Sequence, residues 1–148
     1  MSLEAKIKKD LMVAMKAKDK VALRGIRAIK SQIILAKTDG SGKELDEAAE
    51  IKMLQKMVKQ RKDSMGIYEQ QGRPELAATE KEEIEIIERY LPQQMGAAEL
   101  TEFLQGVIAQ TGATSMRDMG KVMGIASKQL GGKADGKTIS GIVKNLLG

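Results

Sequence analysis

The chain has 148 residues, 42% of them hydrophobic and 30% charged, a balance that excludes both a disordered tail and a membrane-embedded protein. Cys, His and Trp are absent and Tyr68, Tyr90 and Phe103 are the only aromatics, which excludes thiol nucleophiles, disulfides, imidazole bases and zinc sites built on Cys or His. Lys and Arg number 25 against 20 Asp and Glu, and the resulting +5 permits an anionic partner, although a solvated helical surface has the same composition.

Apolar residues recur three and four apart throughout, and strict β-type alternation is absent, so the chain reads as all-α. The expected architecture is an N-terminal four-helix domain over residues 1–92 that includes a long helical hairpin, a linker at 93–96, and a small three-helix C-terminal tail domain over 97–148. Ser2 can cap a first helix with Leu3, Ile7, Leu11 and Met15 on one face. Asp19 can cap a second, striped by Ala22, Ile26, Ile29 and Ile33. Residues 38–43 form a flexible Gly-containing loop. A third helix runs from an N-cap at Asp46 to about Gln70, with Ile51, Leu54, Val58, Met65 and Tyr68 as its apolar stripe. Gly72 stops it, and Pro74 suits the first turn of a fourth helix, where its missing N–H costs nothing. The fourth helix carries Leu76, Ile84, Ile87, Tyr90 and Leu91 inward and ends at Pro92.

Three short helices follow the linker Gln93-Gln94-Met95-Gly96. The first, Ala97 to Thr111, points Leu100, Phe103, Leu104, Val107 and Ile108 inward. The second, Ser115 to Leu130, buries Met119, Met123, Ala126 and Leu130, the two methionines as core filling. The third spans Gly136 to Leu147. Ser115 with Asp118 resembles a capping box with Asp in place of Glu or Gln.

Arg61 falls inside the stripe of the third helix, and Glu80 and Glu83 inside that of the fourth; a charge on a buried face needs a partner. If the Gln71-Gly72-Arg73 turn makes an antiparallel hairpin, residues whose numbers sum to about 144 face each other, Leu54 with Tyr90, Tyr68 with Leu76, and Arg61 with Glu83. An Arg61 to Glu83 ion pair that fixes register is expected; a catalytic reading would need a carboxylate pair in a pocket.

Basic residues gather in two places. On the second helix, Lys20, Arg24, Arg27 and Ser31 share an arc opposite the apolar stripe. After the linker all basic residues lie from Arg117 onward: Arg117, Lys121 and Lys128 on one helix face, then Lys133 and Lys137 around the Gly131-Gly132 and Gly136 turn. Plain solvation explains either stripe alone. A glycine-rich loop entering a helix N-terminus can also cradle phosphate, while the same glycines serve equally as a C-cap and turn with Asp135 as N-cap. The order of a nucleotide P-loop is missing. With few aromatics, any RNA contact would be to the backbone of structured RNA.

The segments Lys59-Gln60-Arg61-Lys62-Asp63-Ser64, Tyr68, Gly72-Arg73, Glu80 to Glu85, Tyr90-Leu91-Pro92-Gln93-Gln94, Met119-Gly120-Lys121-Val122-Met123 and Lys133-Ala134-Asp135-Gly136-Lys137 together resemble the GatB/YqeY family. The resemblance covers essentially the whole chain and is to its stand-alone YqeY-like members. The part after the linker is similar to the tail domain of the B subunit of the glutamine-dependent aminoacyl-tRNA amidotransferase. That resemblance implies tRNA contact by the tail, with Lys121, Lys133 and Lys137 favoured on phosphates. The family is also associated with carbon-nitrogen ligase activity using glutamine as amido-N-donor. Neither an amidase signature nor a kinase core is present, so no enzyme is expected of this chain on its own, and no catalytic residue is assigned.

The leading expectation is a tRNA-binding accessory protein linked to tRNA-dependent amidation or aminoacylation. Its contacts would be Arg117, Lys121, Lys128, Lys133, Gly136 and Lys137, with Lys20, Arg24 and Arg27 adding a second surface. A helical adaptor of a tRNA synthetase or amidotransferase complex is the alternative, and a true amide-transfer enzyme is the third reading. No cofactor, metal or membrane partner is expected. There is no run of about 18 apolar residues and no apolar secretion segment at the start, so a cytoplasmic location is expected.

Overall fold

A computed structural model describes residues 2–40 and 45–148. Among these residues the chain is all-α. Its helices are α1 (Leu3–Ala17), α2 (Lys20–Lys37), α3 (Glu47–Gln70), α4 (Pro74–Glu88), α5 (Ala97–Thr111), α6 (Met119–Leu130) and α7 (Gly136–Leu147), with a 3₁₀ turn at Met116–Asp118. The chain divides into two compact units, Met1–Leu91 and Pro92–Gly148. Of the loop expected at 38–43, residues 41–43 lie outside the described residues.

Helix starts follow local chemistry. Ser2 Oγ accepts the Ala5 N–H at 3.1 Å, Asp19 Oδ1 that of Ala22 at 3.1 Å, and Asp46 Oδ1 that of Ala49 at 2.8 Å. Pro74 occupies the first turn of α4. Lys18 takes the left-handed conformation, φ 55°, in the tight turn between α1 and α2.

In the first unit, α1 packs on α2, and α4 packs on both α2 and α3. The core holds Leu3, Ile7 and Ala14 from α1, Ala22, Ile26, Ile29 and Ile33 from α2, Leu54, Met57 and Val58 from α3, and Ile84, Ile86 and Ile87 from α4. Two details differ from the sequence reading. The α1 face turns toward Ala14, leaving Met15 54% exposed, because the small alanine admits α2 where methionine would hold it off. The α4 helix ends at Glu88 rather than Pro92. Tyr90 N–H bonds Ile87 O and Leu91 N–H bonds Glu88 O in a closing turn, consistent with the aversion of a residue before proline to helical backbone.

The second unit closes around Leu100, Leu104 and Val107 of α5, Val122, Ala126 and Leu130 of α6, and Ile139, Val143 and Leu147 of α7. Met119 and Met123 pack on this core half-buried, with Val122 at its centre. The single helix expected over 115–130 is split. Ser115 Oγ accepts from Arg117 N–H at 3.4 Å and Asp118 Oδ2 from Thr114 N–H at 3.0 Å, and these two bonds cap a 3₁₀ turn before α6 begins. The segment expected as a linker is bonded within this unit: Met95 N–H donates to Lys133 O at 2.9 Å, and Gln94 Nε2 to Gly132 O at 2.9 Å.

Candidate functional site

The first unit carries a charge cluster across three helices. Arg61 Nε of α3 donates to Glu83 Oε2 of α4 at 3.0 Å, and Arg61 Nη1 donates to Met57 O at 3.2 Å. Arg24 of α2 reaches the other oxygen of Glu83 at 3.2 Å and Glu82 Oε2 at 2.6 Å. Arg61 and Glu83 are mostly shielded, with side chains 19% and 16% exposed. Glu83 thus accepts a hydrogen bond from Arg61 on one oxygen and pairs with Arg24 through the other, which makes it a bridge among α2, α3 and α4 rather than a free base. Burial, followed by repulsion from Glu83, raises the neighbouring Glu80 carboxyl above its ordinary value, while Arg61 and Arg24 pull the other way.

This cluster redefines the basic face of α2. Lys20 and Arg27 are exposed, but Arg24 is bound to the acidic residues of α4 and is not presented as a phosphate contact. The sequence reading missed this because the partner comes from another helix.

In the second unit, Arg117 lies on the 3₁₀ turn, Lys121 and Lys128 on α6, Lys133 in the following turn and Lys137 in the first turn of α7; all five are exposed. None of them is in an ion pair among the described residues. The intervening turn is not an open anion cradle. Gly131, φ 53°, ends α6 in the left-handed conformation, its N–H and that of Lys133 donate back to Ser127 O and Leu130 O, and the carbonyls of Gly132 and Lys133 accept from Gln94 and Met95. The N-terminus of α7, where Gly136 lies, is occupied by the chain's own carboxylate: Asp135 Oδ1 accepts the Thr138 N–H at 2.7 Å. A phosphate there would meet a negative charge already in place.

Two hollows lie among the described residues. In the first unit a hollow of about 300 Å³ is bounded by Val13, Ala14, Ala22 and Arg89 and closed by Tyr90, whose hydroxyl donates to Asp10 Oδ2 at 2.5 Å. Burial and the Asp10 carboxylate both raise the Tyr90 phenol, so it stays protonated as the donor. In the second unit a groove of about 400 Å³ runs between α5 and Gln129 of α6. The signal for that groove was a second helical face on α5, Glu99, Phe103, Gly106 and Gln110, beside the core face. Among the described residues no group of three or more Asp and Glu could hold a metal ion, and no helix is long and apolar enough to cross a membrane.

Comparison with known proteins supplies the context. The chain is 42% identical over 95 residues to Altered inheritance of mitochondria protein 41, mitochondrial, of Lachancea thermotolerans, covering 64% of this chain and 51% of that protein. It is 36% identical over 131 residues to the protein of the same name from Meyerozyma guilliermondii, covering 84% and 67%. With that of Kluyveromyces lactis it shares 33% over 140 residues, covering 95% and 73%. The chain thus spans from about half to about three quarters of the length of these relatives. Their names speak of the inheritance of mitochondria and not of tRNA. The expected tRNA-binding accessory role is corrected on that finding, and the expected cytoplasmic location with it. The pattern that defines the Yqey-like protein family matches residues 4–147, and the chain belongs to that family.

Proposed function

We propose that this chain is a non-catalytic helical adaptor in the mitochondrial role that its relatives' names describe. In this reading the two compact units are a four-helix domain and a three-helix tail domain. The tail docks an acidic surface of a partner protein through Arg117, Lys121, Lys128, Lys133 and Lys137. The observation that carries the reading is that these five cations are exposed, outside any ion pair among the described residues, and gathered in a stretch from Arg117 to Lys137 whose only acids are Asp118 and Asp135. The ion pairs among the described residues are those of Arg24 and Arg61 with Glu82 and Glu83, Lys37 with Glu4 and Arg73 with Glu75, all in the first unit. The carboxylates of Asp19, Asp46 and Asp135 are used as helix caps. Complementary charge would steer the encounter and fix orientation.

The test is complementation. The chain, routed to mitochondria in a yeast lacking its relative, restores mitochondrial inheritance, whereas Lys121→Glu with Lys133→Glu and Lys137→Glu does not. Restoration by that triple variant would sink the reading.

A further inference from the structure

The α5 helix uses two faces. Leu100, Leu104 and Val107 enter the core of the second unit, while Glu99, Phe103, Gly106 and Gln110, spaced four, three and four apart, form the face beside it and floor the groove of about 400 Å³. Met95 and Gln129 line the groove as well. Gly106 is exposed, and a Cβ there would meet nothing within 4 Å, so the floor dips to the helix backbone at its middle. Glu102 stands on the rim. Both glutamates are exposed and outside any ion pair among the described residues. No Lys or Arg lines the groove, and α5 contains none.

We infer that this groove docks a basic amphipathic helix of a partner protein, with the partner's apolar stripe over Phe103, Met95 and Gly106 and its Lys or Arg side chains beside Glu99 and Glu102. The apolar part of the lining, Met95, Phe103, Gly106 and Val107, flanked by the carboxylates of Glu99 and Glu102, matches an amphipathic helix, whose stripe repeats three and four residues apart and whose flanks are polar. The purely acidic rim selects the sign of those flanks, because an acidic helix laid in the same groove would bring like charges together. Gly106 gives depth for one large apolar side chain of the partner. The groove's lining differs from the five cations of the proposed function, although Met95 bonds the Lys133 carbonyl and Gln129 follows Lys128, and the inference is tested separately from that function.

The full chain is titrated into a fluorescently labelled synthetic peptide of Leu, Ala and Lys, with Leu at helical three and four spacing, and anisotropy is read. Saturable binding is expected, with a scrambled peptide of the same composition about tenfold weaker or more. Gly106→Trp places an indole in the groove where a Cβ has open space, and circular dichroism checks that the chain stays helical; affinity falls by roughly tenfold. Glu99→Gln with Glu102→Gln, which adds no bulk, lowers affinity roughly fivefold at low salt and less at high salt. Equal binding of the scrambled peptide or of an acidic peptide of the same periodicity overturns the inference. So does unchanged affinity in the folded Gly106→Trp chain or in the double glutamine variant, or a second copy of the chain displacing the peptide from the groove.

Discussion

The backbone of Gly25 in α2 lies directly against Ile86 of α4: a Cβ built at position 25 would stand 2.6 Å from both Cβ and Cγ2 of Ile86. Gly25 and Ile86 are both buried, and the missing side chain lets two helices approach more closely than any larger residue would permit. Gly25→Ala is therefore expected to destabilise the chain. Overpacking a close contact costs about 1–3 kcal/mol, and the helix-propensity gain of about 1 kcal/mol for replacing glycine by alanine offsets only part of it. Urea unfolding should show a lower midpoint with an unchanged slope. A partner substitution, Ile86→Val in the Gly25→Ala background, does not relieve the clash, because valine keeps the Cβ and its branch; Ile86→Ala removes Cγ2 and relieves part of it.

Glu83 holds Arg24 and Arg61 from two other helices, so its removal strands two cations. Arg24 retains Glu82 and Arg61 retains Met57 O, which limits the damage. Glu83→Ala should cost about 2 kcal/mol, and Arg61→Ala about 1–2 kcal/mol. The check is a double-mutant cycle. Arg61→Ala combined with Glu83→Ala should cost less than the sum of the single changes, and strict additivity would show that the pair contributes nothing.

How much of this could be read from the sequence depends on distance along the chain. The caps at Ser2, Asp19, Asp46 and Asp135 are chemistry within three residues, and a single sequence displays them. The α3 and α4 register is also legible, since a short turn between antiparallel helices leaves one alignment in which Arg61 meets Glu83. The contacts of α2 with α4 were hidden. Ile86 lies off the α4 stripe that faces α3, and nothing local announces that Gly25 and Arg24 on α2 are its neighbours and those of Glu82. The same reason limited the site. A basic arc is visible in the sequence, but which of its members an acidic helix neutralises is decided by packing.

Tyr90 ties the end of α4 to α1 through Asp10, 80 residues away. Tyr90→Phe removes that bond and should cost at most about 1 kcal/mol at neutral pH, since the ring is half-buried and water can satisfy Asp10. The pH dependence has a definite sign. Folding raises the phenol above its ordinary 10.0, so the folded state holds its proton more tightly than the unfolded chain does. The stabilisation is fully present below the unfolded value and is lost as pH rises above it toward the folded one. Chemical denaturation from pH 8 to 11 should therefore show a steeper alkaline decline for the parent chain than for Tyr90→Phe, the lysines being common to both. Identical slopes would contradict the buried donor.

The start of α7 offers the last test, because it separates a helix cap from an anion site. Asp135 bonds the Thr138 N–H and places its carboxylate at the positive end of the helix dipole. Asp135→Ala removes both effects and should cost about 1 kcal/mol, and Asp135→Asn less, since its oxygen still accepts the bond. An emptied N-terminus beside Lys133 and Lys137 then becomes what the glycine-rich turn suggested, a place for a free anion. Inorganic phosphate at constant ionic strength should raise the melting temperature of Asp135→Ala more than that of the parent. Equal shifts in the two chains would mean that the carboxylate does not compete with anions there, and that its contribution is the hydrogen bond alone.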